Sequence, residues 1–152
     1  MAPTTSTIDE LTLSVTQEVQ VNAPLEATFA ALLEEMGPHN VAKNGAPMPM
    51  KIEARPGGRW LRDLGQDNGH LWGHVQAIKR PTLLEITGPL FMSYAVVSNI
   101  QYRLTPVDGA TLITFKHSAM GLIPHDHRTG LASGWTLLLE RVRRSAETAA
   151  RT

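Results

Sequence analysis

Two side chains able to do acid–base work, Tyr102 and His117, fall where period-two alternation puts them among apolar neighbours. Residues 95–105 set Ile100, Tyr102 and Leu104 on one face, opposite Asn99, Gln101 and Arg103. Residues 111–117 likewise set Ile113, Phe115 and His117 on one face. The apolar faces turn inward, taking a phenol and an imidazole with them. In an apolar cavity such groups orient a ligand or move a proton. As plain core residues they bond instead to backbone or water. A tight turn centred on Asp108 and Gly109 would place Tyr102 nearer Phe115, with His117 diagonal to it.

Other chemistry finds little support. There is no cysteine, which excludes a thiolate zinc site, an iron–sulfur cluster and a cysteine nucleophile. His70 and His74 lie in a strand pattern, where four residues span ~13 Å, too far apart to share one ion. His125-Asp126-His127 reads as a solvated loop with Asp126 capping the helix that follows. No metal site is assigned. No serine stands in a Gly-x-Ser-x-Gly elbow, and neither a dinucleotide fingerprint nor a phosphate loop is present, so no cofactor is expected.

The elements that must position these residues follow from periodicity. Residues 11–21 alternate apolar and polar, as a half-buried strand does. Asn22-Ala23-Pro24 opens a helix whose stripe is Phe29, Leu32, Leu33 and Met36, ended by Gly37-Pro38. Residues 37–50, rich in Gly, Pro and Asn, form a long loop that would make a wall or a lid. Strands are expected at 51–55, 59–64, 70–79, 82–87, 95–105 and 111–117, with hairpin signals at Asn68-Gly69 and Asp108-Gly109. A long amphipathic helix follows over about residues 128–149, its stripe Leu131, Trp135, Leu138, Leu139, Val142, Ala146 and Ala149. The expected fold class is α+β: a curved antiparallel sheet wrapped around a long C-terminal helix, in one domain over 1–152 with a core of about 11–149. A cavity is expected where the curvatures of sheet and helix differ.

Around that cavity stand residues of mixed direction. If Trp60 and Leu64 point in, so does Arg62; if Leu61 does, Arg59 and Asp63 share its face. The apolar connection 88–94 (with Phe91, Met92 and Tyr94) is either a flap over the pocket or a strip pairing with a second copy as a homodimer. The candidate lining set is Trp60, Arg62, Trp72, His74, Phe91, Met92, Tyr94, Tyr102, Phe115, His117 and Trp135.

Fourteen Lys plus Arg balance fourteen Asp plus Glu, which argues against wide electrostatic capture of nucleic acid. The charges are segregated, however. Residues 1–40 hold six acids and no Lys or Arg, residues 128–152 hold five Arg, and the two ends should complement each other. Apolar runs are too short to span a membrane, and the N-terminal stretch lacks the pattern of a secretory leader, so a cytoplasmic location is expected.

The chain resembles the START-like, or SRPBCC helix-grip, superfamily, and within it the branch named after the activator of heat-shock protein 90 ATPase. The resemblance is carried by Val21-Asn22-Ala23-Pro24 leading into Phe29-Ala30-Ala31-Leu32, by Pro56-Gly57-Gly58-Arg59-Trp60 and by Gly73-His74-Val75. It continues in the 111–117 strand ending in His117-Ser118, and in Gly134-Trp135 with Leu139 and Val142. It spans roughly residues 15–148 and departs from many relatives in lacking a tryptophan between Met36 and Lys51. It implies a sheet of up to seven strands gripping the last helix, and roles from apolar-ligand binding through cyclisation to co-chaperone action. Fold alone does not choose among these. The preferred reading is binding of an apolar or aromatic small molecule. A cyclase- or hydrolase-type enzyme using Tyr102 and His117 and a co-chaperone-like interaction module are the alternatives.

Overall fold

The computed structural model describes residues 7–151; the first six residues, part of the stretch read for a leader, lie outside them. After one turn of helix, α1 (Ile8–Leu11), come β1 (Thr12–Val21) and α2 (Leu25–Met36). Six further strands follow: β2 (Lys51–Ile52), β3 (Arg59–Gly65), β4 (Asn68–Lys79), β5 (Leu83–Gly88), β6 (Val96–Val107) and β7 (Ala110–Gly121). The chain ends in α3 (His125–Ala150). The seven strands form one antiparallel sheet in the order β1-β7-β6-β5-β4-β3-β2, which grips α3. Among the described residues no helix is long and apolar enough to cross a membrane.

Alternation sets the inner face of the sheet as expected: Ile100, Tyr102, Leu104, Ile113, Phe115 and His117 are all buried. From α3, Leu131, Trp135, Leu138, Leu139, Val142 and Ala146 bury against them. Asp108 and Gly109 are both left-handed, the mirror-image turn whose twist suits a two-residue hairpin, and the register sets Tyr102 against Phe115 and Ile100 against His117. The diagonal placement of Tyr102 and His117 is thus found.

Three local expectations are corrected. The strand at 51–55 shrinks to two residues, because the Glu53 carboxylate takes both the backbone N–H and the guanidinium of Arg59 and curls the chain around itself. The β3–β4 turn centres on Gln66 and Asp67, both left-handed, while Asn68-Gly69 already belongs to β4. Lastly, α3 starts at His125, with Pro124 fixed at φ −60° before it, so His125, Asp126 and His127 are helical.

The segregated charges meet in part. Arg141 faces Glu35 of α2 at 3.8 Å, and Arg128 donates to the carbonyls of Thr12 and Glu10. Arg143 and Arg144 instead pair with Glu140 on their own helix.

Candidate functional site

Trp60 and Trp72 come from adjacent strands and meet edge to face, ring centroids 5.0 Å apart; Phe91 continues the row at 5.8 Å from Trp72. From α3, Trp135 supplies a third indole. These rings floor a cavity of about 440 Å³ enclosed by α3 and by residues 40–43 and 48 of the long loop, which therefore forms a wall. The loop is held in shape from within, since the Asn40 side-chain amide donates to the Met48 carbonyl (3.1 Å) and the Met48 N–H to the Asn40 carbonyl (2.9 Å).

The indole N–H groups do not face a ligand. Trp60 donates to the Met36 carbonyl at 2.8 Å, Trp72 to His70 Nδ1 at 3.1 Å and Trp135 to His117 Nδ1 at 3.0 Å. With each polar edge tied to protein, the tryptophans offer the cavity carbon surface alone.

Space is made by the helix. Gly130 and Gly134 both line the cavity; a Cβ built on Gly134 meets nothing within 4 Å, and one on Gly130 meets only the Lys43 ammonium at 3.4 Å. Glycine inside a helix costs about 1 kcal/mol relative to alanine. Two of them on this face are unfavourable for α3 and leave that part of the cavity open.

Of the residues expected to line a cavity, the structure brings together Trp60, Trp72, Phe91 and Trp135. Tyr102, Phe115 and His117 lie beneath, in the core: Phe115 packs on Trp135 at 4.7 Å between centroids, and Tyr102 packs on Phe115 at 5.0 Å. The Tyr102 hydroxyl is buried with no hydrogen-bond partner, and burial raises its pKa. His117 is wholly buried, Nε2 against Ser98 Oγ at 3.0 Å, and desolvation lowers its pKa to about 4.

A bulge between Trp60 and Leu61 breaks the alternation in β3, so Trp60 is buried while Leu64 is exposed; Arg62 turns aside to donate to the Pro49 carbonyl at 2.6 Å. His74 sits exposed on the outer face. In the 88–94 segment Leu90 and Met92 are buried, while Phe91 lines the cavity and stays 39% exposed.

Sequence reasoning missed His127 and Arg141. His127 lines the cavity and its Nδ1 meets the Tyr94 hydroxyl at 2.8 Å, with the Phe91 ring beside it. Arg141 stands at the far end. The signal was available: positions 127, 131, 134, 138 and 141 form one helical stripe, polar at both ends and glycine in the middle.

Residues 22–147 match the family described as activator of Hsp90 ATPase homolog 1-like protein. The chain belongs to that family. Solved structures share the helix-grip fold of this activator of Hsp90 ATPase homolog 1-like chain, the fold that the resemblance implied. An uncharacterised protein from Rhizobium leguminosarum is 15% identical over 90% of this chain and 95% of that one, with a TM-score of 0.70. Ara h 8.0201 is 12% identical over 90% and 99%, TM-score 0.65. CalU16 from Micromonospora echinospora is 18% identical over 86% and 71%, TM-score 0.61. At such identities the likeness is one of fold. No curated protein matches the chain by sequence.

Proposed function

We propose that this chain binds an apolar or aromatic small molecule in the cavity between α3 and the sheet. The observation that supports this most directly is the pair of helical glycines, Gly130 and Gly134, in a cavity lined by three indoles whose N–H groups are already bonded. A volume of about 440 Å³ lies within the range of small-molecule sites. Tyr102 and His117 lend no support to proton transfer at this cavity, since both sit behind its wall.

Native mass spectrometry of freshly purified protein, together with titration by the uncharged dye N-phenyl-1-naphthylamine, tests the reading. A co-purified apolar compound, or saturable dye binding at one site per chain, is the expected outcome. Protein that carries nothing and leaves the dye dark would overturn it.

A further inference from the structure

We infer that the ligand carries an anionic group, a carboxylate or its like, at one end of its apolar body, and that Arg141 receives it. The inference rests on the binding reading above and assigns the ligand's polar end. Arg141 lines the cavity at the C-terminal end of its α3 wall, and its guanidinium has five N–H donors. Among the described residues none of those donors makes a hydrogen bond, and its Nε is buried without a partner. Glu35, the nearest carboxylate, stands 3.8 Å from that Nε, near enough to balance charge and too far to hydrogen-bond.

The buried Nε left unbonded is costly, and a planar carboxylate bonds Nε and a terminal N–H of the same guanidinium together. The other polar groups on the wall stand elsewhere, and His127, in the first turn of α3, has its Nδ1 against the Tyr94 hydroxyl. Asn40 has its amide bonded within the loop, and Lys43 reaches only the Gly130 carbonyl, at 3.5 Å. Asp126, the one acid on the wall, stands in the first turn of α3, about 22 Å along the helix from Arg141. An anion at Arg141 therefore meets a cation without a facing acid on the cavity side, while its body lies over the tryptophans.

The experiment pairs acids with their uncharged amides: 1-naphthylacetate against 1-naphthylacetamide, and decanoate against decanamide, titrated calorimetrically at pH 7.5. The two pairs distinguish an aromatic from an aliphatic body. In at least one pair the acid is expected to bind about 10-fold tighter or better than its amide. Arg141→Met should erase that preference while amide binding persists. The double variant Glu35→Gln/Arg141→Met, which leaves no unpaired charge, replaces it should the single variant not fold. Acid and amide binding alike, or a preference that survives the loss of Arg141, would overturn the anion assignment and leave the apolar site standing. If neither member of either pair binds, the apolar-site reading falls as well.

Discussion

The Trp135 indole N–H donates to His117 Nδ1 at 3.0 Å, and this bond fixes the protonation state of the histidine. An indole N–H is a donor only, so Nδ1 is bare and the single proton of the neutral ring sits on Nε2, donated to Ser98 Oγ. A second proton would set two donors against each other. The ring is therefore a rigid spacer between the sheet and the cavity wall.

Acid should expose that arrangement. His117 falls from its ordinary 6.5 to about 4 because burial disfavours its charge. Between those values the unfolded chain takes up a proton that the folded one refuses. Stability is thus fully present above pH 6.5, declines as pH drops toward 4 and levels off below. The loss is up to about 3 kcal/mol. Burial of Glu35 acts oppositely, raising its pKa so that its contribution fades as pH rises. Urea midpoints of parent and His117→Gln at pH 7 and pH 4.5 separate the two; equal slopes in both proteins would refute the assignment.

Trp135→Phe keeps most of the packing and removes the N–H, leaving His117 Nδ1 buried without a donor. A loss of about 1–3 kcal/mol is expected. Trp135→Ala adds a cavity and should lose about 3–5 kcal/mol. If the two variants melt alike, the hydrogen bond contributes nothing and packing is the whole effect.

Tyr102→Phe should leave stability unchanged or raise it, since it deletes a buried hydroxyl that has no partner. Ligand affinity should not move, because the ring lies behind Phe115 and Trp135. A fall of more than about 1 kcal/mol in either quantity would show a hydrogen bond to that hydroxyl.

Gly134→Leu is expected to separate folding from binding. The new side chain points into open space, and α3 gains up to about 1 kcal/mol from the loss of a mid-helix glycine. Thermal melts should therefore hold or rise while N-phenyl-1-naphthylamine binding disappears. Undiminished dye binding would place the site elsewhere on the molecule.

The sequence made the fold legible because its two periods are clean. Alternation in β6 and β7 turned Ile100, Tyr102, Phe115 and His117 inward, and α3 showed its stripe. The site was less legible, since facing inward on the sheet does not mean facing the cavity. Trp135 covers Phe115 and His117, and the void opens beside them over β3 and β4, where the Trp60/Leu61 bulge resets the alternation that would have assigned Arg62 and Leu64. Arg141 escaped notice because whether an arginine's donors are hydrogen-bonded is a matter of three-dimensional neighbours. His127 was hidden by a helix start placed a few residues too late.

The pairing of β1 with β7 bears on how the chain is made. Thr12 sits opposite Met120 and Val21 opposite Thr111, so the partners stand roughly a hundred residues apart. During synthesis β1 emerges well before its hydrogen-bonding partner. Closing so large a loop is entropically demanding, and it yields little until β6 and β7 have formed their own hairpin. Until then the apolar face of β1, with Leu13, Val15 and Val19, is a newborn strand without a sheet, open to any other strand in reach. Among the strand pairings, the one that completes the sheet is thus also the one the nascent chain waits longest to make.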